Sequence, residues 1–403
     1  MSGLALGNGL LMKSEPGGKT ERLESVYSTT KQKVPLMSVI RQLQNNKKDM
    51  EQTRIQTQPM PELKAGEALL RISRLALTTN NVTYAAFGET PHLRYWDFFP
   101  TGDADWFHMP AWGFAEVVES TVEGLAKSER FYGFWPIASH IVMQPVRVSE
   151  RGFYDGAEHR LELTSAYNQY QRISTDAAYR AENENYQMLL RPLFITSFML
   201  ADFLDDNAFF GARQIVMSSA SSKTAYGTAF CLQDNPAVQV IGLTSSGNTD
   251  FVQTLGCYRQ ALSYDQLGSL DPSVPTLYVD FSGSATLRQQ VHAHFKDSLV
   301  YDCYAGSAQN QDYAKPDQAL SGPQPQPYFA PYQIKKRNAD WGAAEVTCRF
   351  NEAQLAFIAR VSDAQQPWMQ VNEHAGLEAA QSLAESLIKG NINPLEGHAV
   401  VLD

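Results

Sequence analysis

The sequence predicts an α/β protein in which a β-barrel unit is followed by a doubly wound domain built on a parallel sheet. Two patterns carry this prediction. After about residue 193, apolar strands such as "QIVMSS", "VQVIGLTS" and "TLYVDFS" alternate with helical segments at the spacing of βαβ units. Before about residue 150, short strands rich in β-branched residues, such as "GEALLRISRLALT", are separated by turn residues. A chain of 403 residues, 43% of them hydrophobic, is long enough to bury both cores.

The same patterns set the expected domain boundaries. Patterned sequence begins at Met37, so the preceding residues are expected to form a disordered extension. The end of the chain predicts a helix, a glycine-containing turn and an edge strand that return to the first domain. The expected units are the extension at 1–36, the barrel domain at 37–192, the doubly wound domain at 193–355 and the C-terminal return at 356–403.

One stretch departs from both patterns. The residues near 151–191 are polar and rich in tyrosine, as in "TSAYNQYQRISTDAAYRAENENYQML", and they contain helix-forming residues without an apolar stripe. They are therefore predicted to be an insertion into the barrel domain. Two forms of the insertion remain open: a lid over a binding site and a surface helix pair.

Composition and charge favour a small molecule as the binding partner. The chain has 33 basic and 43 acidic residues, a net charge of −10 without long runs, which argues against a surface for nucleic acid or anionic membrane. Its longest apolar run, "LFITSFMLADFL", is too short to cross a bilayer and contains Asp202. Its four cysteines lie far apart without the spacing of a zinc site, and they are expected to be reduced thiols of a cytoplasmic protein.

Several motifs, in their order along the chain, resemble the medium-chain dehydrogenase/reductase superfamily over about residues 37 to 403. The segment "MPAWGFAEVVESTVEGLAKSERFYGFWP" is similar to that superfamily's proline- and glycine-spaced barrel motif, with Pro110, Gly113, Val117 and Gly133 in place. The segment "VQVIGLTSSGNTDFVQTLGCYRQALSYDQ" is similar to its second Rossmann strand and the helix that follows. The resemblance implies a GroES-like barrel and a Rossmann domain. It is nearest to zinc-free quinone oxidoreductases and enoyl reductases, and among them to an uncharacterised branch known only as a domain of unknown function.

The resemblance implies a dinucleotide at the loop "SSASSKTAYG", where the superfamily has glycines that admit a pyrophosphate. Here Ser221, Ser222, Lys223 and Thr224 stand in those places. Hydroxyl groups at a helix start can cap backbone amides and donate to phosphate oxygens, and a lysine adds a positive charge. The loop is therefore expected to hold the pyrophosphate, with a helix cap that has no ligand as the alternative.

The end of the second Rossmann strand predicts the type of dinucleotide. NAD-binding proteins place an acid there, whereas this chain has Thr244 and Ser245, and its next acid is Asp250. Hydroxyl groups can donate hydrogen bonds to a 2′-phosphate, which an acid would repel, so NADP is the expected cofactor. Further cofactor contacts are expected at the ends of later strands, at Ser282, Gly283 and Gly306. The candidate positive partners of the 2′-phosphate are Arg259, Lys335, Lys336 and Arg337. A solvated basic turn is the alternative for the last three.

Zinc-dependent members of the superfamily need an early Cys or His ligand and a later cysteine cluster, and the sequence shows neither, so no metal is expected. Polar side chains must then stabilise the charge that forms on a carbonyl oxygen when hydride arrives. The segment "ALTTNNVTYAAFG" resembles the zinc-free reductases' "N-x-x-D-x-Y-x-x-x-G", with Tyr84 and Gly88 in place. Asn80 and Asn81 lie beside the position of the missing asparagine. Tyr84 is the expected proton donor; a tyrosine satisfied by the core is the alternative.

The aromatic segment "HLRYWDFFPTGDADWFHMPAW" can line an apolar substrate pocket or pack in the core, and its His92 and His108 are the candidate acids. The leading hypothesis is a zinc-independent, NADPH-dependent reductase of an activated double bond or carbonyl, in a quinone, enone or acyl thioester. The alternative is a non-catalytic binding module that kept the fold and lost the dinucleotide. A homodimer is the oligomeric state to be tested.

Overall fold

The computed structural model describes residues 39–91, 93–306, 320–391 and 393–402. The predicted extension at 1–36 and the candidate acid His92 lie outside the described residues. The first part of the chain forms β1 (Val39–Asn46), β2 (Thr53–Pro59), β3 (Ala68–Leu77), α1 (Thr79–Ala86), β4 (Trp106–Phe107), β5 (Pro110–Ser120), β6 (Arg130–Pro136), β7 (His140–Met143), β8 (Pro145–Ser149), β9 (Gly152–Asp155) and β10 (Gln169–Arg172).

The rest of the chain contains the parallel strands and most of the helices. Its elements are α2 (Glu184–Asp206), β11 (Gln214–Met217), α3 (Lys223–Leu232), β12 (Gln239–Thr244), α4 (Thr249–Leu255), β13 (Gln260–Ser263), β14 (Thr276–Asp280), α5 (Ala285–Phe295), β15 (Leu299–Tyr304), β16 (Gln326–Pro327), α6 (Ala330–Asp340), α7 (Ala343–Val361), β17 (Gln370–Ala375), α8 (Gly376–Ile388) and β18 (Glu396–Val401).

The strands of the first part are antiparallel and enclose one apolar core. The main sheet has the order β17-β18-β3-β5-β6-β10-β9-β8, with β7 also paired to β3, and a small sheet has the order β2-β1-β4. Inward residues of β3, β5 and β6, such as Ile72, Ala115 and Trp135, share this core with Leu383 and Leu387 of α8. The C-terminal helix therefore packs on the antiparallel unit.

The second sheet has the order β13-β12-β11-β14-β15-β16, and every pairing in it is parallel. Successive strand residues face opposite cores: Ile215 and Met217 of β11 contact the core shared with α2, α3 and α7, whereas Val216 faces the core shared with α5. Burial on both faces is the mark of a doubly wound sheet. The predicted fold class, a GroES-like barrel with a Rossmann domain, is confirmed.

Several local predictions need correction. The segment near 151–191 forms neither a helix pair nor a detached lid: β9 and β10 extend the antiparallel sheet, with β10 paired to β6. One helix, α1, interrupts the strands of the barrel unit. The last strand, β18, lies between β17 and β3 rather than at an edge. Strands β13 and β17 were not predicted, because "QALS" and "QVNEHA" lack the apolar run that marks the other parallel strands.

Helix α2 contacts β3, β5 and β18 of the antiparallel sheet as well as α3, α6 and α7. The stretch Ala181–Asp206 is long and apolar enough to span a membrane, yet 56% of its most apolar window is buried inside the protein. Its buried residues, among them Leu190, Phe194 and Leu200, pack in the core of the parallel sheet. Its apolar character is explained by burial between the two sheets.

Candidate active site

A cleft of about 450 Å³ lies between the barrel unit and the carboxyl ends of the parallel strands. One side is formed by the residues that follow β3, together with Tyr95 and Tyr167. The other side is formed by the loops after β11, β12 and β15, which is where open α/β sheets bind ligands. Of the predicted site residues, the cleft brings together Asn80, Tyr84, Ser221, Ser222, Lys223, Thr224, Thr244, Ser245 and Gly306.

The loop between β11 and α3 makes its turn without glycine. Ser219 takes a left-handed backbone conformation with φ 48°, and the Ser222 Oγ accepts from the Ala225 N–H at 3.3 Å and caps α3. Ala220 lies against β12, where a Cβ on Gly242 would come within 2.8 Å of the Ala220 Cβ. The glycine that permits the close approach is therefore in the neighbouring strand rather than in the loop.

The start of α3 fits a pyrophosphate. Within the described residues, the backbone N–H groups of Lys223 and Thr224 donate to no protein acceptor, so the ten-residue helix opens onto the cleft with two unpaired donors. The Ser221 Oγ accepts from Thr244 Oγ1 and Asn248 Nδ2, each at 3.3 Å, which leaves its own proton for a ligand. Unpaired N–H groups and the helix dipole favour a negative group here.

Lys223 joins α3 to the segment before β18. Its Nζ donates to the carbonyl oxygen of Glu396 at 2.9 Å and lies 3.4 Å from that of Pro394. Burial lowers the pKa of Lys223 to about 8, and the nearby Glu396 carboxylate opposes this shift. The ammonium that was expected to point at phosphate is thus engaged by protein carbonyls across the cleft.

The end of β12 presents hydroxyl groups to the cleft. Thr244 is buried and Ser245 is exposed, and both line the cleft together with Tyr264, whose hydroxyl accepts from the Ser219 N–H at 3.2 Å. Among the described residues that line the cleft, Glu396 is the only carboxylate, and it lies on the opposite side. This end of the cleft therefore offers hydroxyl donors without a repelling acid.

Two predicted cofactor contacts have a different role. Ser282 and Gly283 do not line the cleft; their N–H groups donate to the buried Asp280 Oδ1 at 2.8 and 3.1 Å. The Asp280 carbonyl oxygen accepts from the N–H groups of Ala305 and Gly306, both of which line the cleft. Ser282 and Gly283 thus fix Asp280, and Asp280 in turn holds the backbone of the two cleft residues Ala305 and Gly306.

The predicted positive partners of a 2′-phosphate are not brought to the cleft. Lys335, Lys336 and Arg337 belong to α6 and not to a loop. Lys336 Nζ lies 2.9 Å from Asp206 and Arg337 Nε lies 2.7 Å from Asp202, so both side chains tie α6 to α2. Arg259 also lies away from the cleft lining.

Tyr84 is placed at the barrel side of the cleft by α1. Its Oη accepts from Asn80 Nδ2 at 2.6 Å and from Trp112 Nε1 at 3.0 Å. Burial raises the pKa of Tyr84 well above its usual value, although both hydrogen bonds act in the opposite direction. A hydroxyl oxygen that accepts twice has its own proton left to donate. Tyr84 and Asn80 thus lie together at the cleft, and Trp112, which no motif indicated, joins them.

Asn81 is structural. It is buried, its Oδ1 accepts from the Thr78 N–H at 2.7 Å, and its Nδ2 donates to the Pro110 carbonyl at 2.8 Å. The first bond completes a capping box at the start of α1. Asn81 therefore orients the helix that carries Tyr84 and does not reach the cleft.

Of the described residues in the aromatic segment, Tyr95 lines the cleft. Trp106 and His108 lie outside the cleft lining. His108 is buried with its Nδ1 3.0 Å from the Leu43 carbonyl, and burial lowers its pKa to about 4. His108 is therefore a neutral core residue near pH 7 and not an acid of the site. His398, which no motif indicated, lines the cleft and pairs with His374 at 3.1 Å between ring nitrogens.

The described residues also bear on the question of a metal centre. Within the part of the chain that the structure describes, no three His, Cys, Asp or Glu side chains are grouped so that they could hold a metal ion. The four cysteines are not paired with one another, and burial raises the pKa of Cys231 and Cys257 to about 12. Those two thiols are therefore protonated near neutral pH.

The fold and the cleft combine a GroES-like barrel unit with a Rossmann-type parallel-sheet unit. The model of the family described as "Protein of unknown function (DUF2855)" matches residues 75–393. The chain belongs to that family. No curated protein matches it by sequence.

Similar solved structures share this fold. CurA from Vibrio vulnificus in complex with NADPH superposes with a TM-score of 0.56 at 14% identity, covering 90% of this chain and 99% of that one. The YhdH oxidoreductase from Salmonella enterica in complex with NADP gives a TM-score of 0.50 at 14% identity, covering 91% and 99%. The complex of Etr1p with NADP and crotonyl-CoA gives 0.53 at 10% identity, covering 90% and 99%.

Proposed function

We propose that the protein is an NADPH-dependent reductase of an activated double bond or carbonyl that needs no zinc. The observation that carries the proposal is Tyr84: a buried hydroxyl, accepting from Asn80 and Trp112, at one side of a cleft. The other side of the cleft is the start of α3, where two backbone N–H groups have no protein acceptor among the described residues. Similar folds with NADPH or NADP bound support the choice of cofactor. Residues 37–192 and 356–403 would form the catalytic domain and 193–355 the nucleotide-binding domain of a cytoplasmic enzyme.

The residues at the start of α3 would hold the dinucleotide. The N–H groups of Lys223 and Thr224 and the hydroxyl of Ser221 would bind the pyrophosphate, and Ser245 and Tyr264 lie where hydroxyl donors can meet a 2′-phosphate. When bound, NADPH supplies a hydride, that is two electrons, and leaves as NADP⁺. The chain itself must supply the proton and stabilise the charge on the substrate oxygen.

Tyr84 performs both tasks in this proposal. Its hydroxyl donates to the substrate carbonyl oxygen and transfers its proton as negative charge develops there. Asn80 and Trp112, which already donate to the Tyr84 Oη, stabilise the phenolate that remains until water returns a proton. The barrel wall behind Tyr84 keeps bulk water from the reacting carbon, since Phe134 and Phe98 in it are fully buried.

Tyr84→Phe tests the proposal. The variant keeps the ring in its cluster and loses only the hydroxyl, so we expect NADPH affinity to be unchanged and kcat to fall by about 10²- to 10⁴-fold. The melting temperature should fall modestly, because Asn80 and Trp112 lose their common acceptor. NADPH binding is followed by nicotinamide fluorescence and turnover by NADPH oxidation. Unchanged turnover in the variant would remove Tyr84 from the mechanism, and absence of NADPH binding by the wild type would remove the proposed function.

The alternative function is a binding module without a dinucleotide. Lys223 favours it, because the ammonium bridges to carbonyls across the cleft and does not wait for an anion. If this alternative holds, the nicotinamide fluorescence of NADPH would be the same with and without the wild-type protein. NADPH would also leave the melting temperature of the protein unchanged.

A further inference from the structure

Two histidines form a hydrogen-bonded pair at the edge of the cleft. The His374 Nε2 and the His398 Nδ1 lie 3.1 Å apart, so one ring donates to the other. His398 lines the cleft, whereas His374 is partly exposed and lies outside the cleft lining. The pair therefore has one ring in the cleft and one ring outside it.

The antiparallel sheet places this pair beside the helix that carries Tyr84. His398 lies on β18, and His374 lies on the edge strand β17. On the other side of β18, the residue opposite His398 in the ladder is Leu77 of β3. Helix α1 begins two residues later, at Thr79, and contains Tyr84. His398 therefore lies next to the start of α1, on the side of the cleft that holds Tyr84.

The ring nitrogens are connected in the order that proton transfer requires. The hydrogen bond uses one nitrogen of each ring, which leaves the His374 Nδ1 at one end and the His398 Nε2 at the other. Neither of these outer nitrogens is hydrogen-bonded to another described residue, and the His398 Nε2 lies 3.7 Å from the Glu396 Oε2. An imidazole can take up a proton at one nitrogen and release one from the other.

The surroundings of His398 keep its ring neutral between transfers. Burial lowers the pKa of His398 below its ordinary value of 6.5, the neighbouring His374 and Lys223 act in the same direction, and Glu396 opposes them. Lys223 belongs to α3, whereas Glu396 belongs to β18 itself. Near pH 7 the ring of His398 is therefore mostly neutral, so it can accept a proton and pass it on.

We propose that His374 and His398 form a proton relay that carries a proton from solvent into the cleft in each turnover. The inference rests on the proposed function, in which NADPH supplies the hydride, Tyr84 gives its proton to the substrate and a phenolate remains. The replacement proton enters at the His374 Nδ1, crosses to His398, leaves from the His398 Nε2 and reaches the Tyr84 oxygen through water in the cleft. One proton is thus taken from solution for each NADPH oxidised. Both histidines act through Tyr84 and do not touch the substrate.

His374→Gln interrupts the relay and keeps the hydrogen bond to His398. The glutamine amide can take the place of the His374 Nε2, but it cannot pass a proton on. We expect NADPH affinity and melting temperature to be unchanged, since His374 lies outside the cleft lining. Because Tyr84 begins the reaction protonated, the first turnover should be as fast as in the wild type. Later turnovers should be slower by about 10- to 100-fold.

Proton uptake is measured directly, so that slow product release does not hide the effect. Enzyme and NADPH are mixed rapidly with crotonyl-CoA, menadione or ethylideneacetone in weak buffer; NADPH absorbance reports hydride transfer and a pH indicator reports proton uptake. The two signals should change together in the wild type, and proton uptake should lag in His374→Gln. His294→Gln is the matched control: the His294 Nε2 lies 2.9 Å from the Leu270 carbonyl oxygen, away from the cleft lining. Its signals should match those of the wild type.

Chemical rescue separates proton transfer from a structural role of the pair. His374→Ala removes the outer ring at a partly exposed position, where imidazole from solution can take its place. Imidazole should recover most of the lost rate of proton uptake in this variant and leave the wild-type rate unchanged. A pair that only joins β17 to β18 predicts no response to imidazole.

The outcomes distinguish the relay from the proposed function. If the wild type reduces any of the three probes and His374→Gln takes up protons as fast as the wild type, the relay is wrong and the reductase remains. A slow His374→Ala protein that imidazole does not accelerate also contradicts the relay. If the wild type does not bind NADPH, or binds it and reduces none of the probes, the proposed function fails and the relay fails with it.

Discussion

At the scale of the residue, Lys223 contacts protein carbonyls at a position where the motif predicted a contact with the cofactor. The motif that this loop resembles is rich in glycine, whereas the lysine here bridges the cleft to the carbonyls of Glu396 and Pro394. The bridge holds α3 against the segment that leads into β18. The cation therefore contributes to joining the two units before any ligand arrives.

The pKa of Lys223 makes this bridge testable. Its folded-state pKa is about 8, below the ordinary value of 10.5, so between these pH values the unfolded chain binds more protons and stability rises with pH. Relative to Lys223→Met, the wild type should gain about 2 kcal/mol of unfolding free energy between about pH 7.5 and 9.5. Urea denaturation of both proteins at the two pH values measures it.

The change of this stability difference with pH is the critical outcome. A difference between the two proteins that stays constant over this range would mean that Lys223 keeps its ordinary pKa and is not buried in the bridge. If pyrophosphate binds beside Lys223, its negative charge should raise the pKa and flatten the dependence when NADPH is present. The same titration with saturating NADPH therefore connects the bridge to the cofactor.

At the scale of the element, the β11–α3 turn depends on β12. Gly242 leaves room for Ala220, whose N–H donates to the Leu243 carbonyl at 3.0 Å and whose carbonyl accepts from the Tyr258 hydroxyl at 3.0 Å. Because these bonds fix the loop, a Cβ on Gly242 cannot be accommodated by a side-chain rotation. It must displace the backbone of the loop itself.

Gly242→Ala should therefore destabilise the protein and weaken NADPH binding together. We expect a loss of about 1–3 kcal/mol of unfolding free energy, as for overpacking in a close-packed core. Gly268→Ala is the matched control, because nothing lies within 4 Å of its added Cβ. Adding Ala220→Gly should restore most of both losses. A Gly242→Ala protein with wild-type stability and affinity would show that the loop is not held by this contact.

Elements that satisfy a local rule were predictable from sequence. Strands β11, β12, β14 and β15 are apolar runs between capped helices, so pattern alone located them. Strand β10 was missed because Tyr170, buried completely, lies among polar residues in the sequence, and one of these, Arg172, is itself buried. In the site, the motif located Tyr84. Its partner Trp112 lies 28 residues further along the chain, and Tyr167 lies 72 residues from its partner Tyr95. Contacts of that range follow from the fold and not from local pattern.

At the scale of the whole molecule, the barrel core contains a titratable group that makes the stability of the protein depend on pH in the acid range. His108 is 3% exposed, and its Nδ1 faces the Leu43 carbonyl, so it is buried as the neutral donor tautomer. Its folded-state pKa is about 4, whereas the ordinary value is 6.5. Between these values the unfolded chain binds more protons, so the protein loses stability as the pH falls from 6.5 towards 4.

His108→Gln isolates this effect on global unfolding. A glutamine amide can donate to the Leu43 carbonyl and does not titrate, so the variant should lose less stability in acid than the wild type. The lowered pKa corresponds to a relative loss of about 2 kcal/mol for the wild type between about pH 7 and 5. Urea denaturation at the two pH values, compared between wild type and variant, gives this difference directly. Equal losses in the two proteins would show that His108 is hydrated in the native state, and that the acid sensitivity of the barrel comes from other groups.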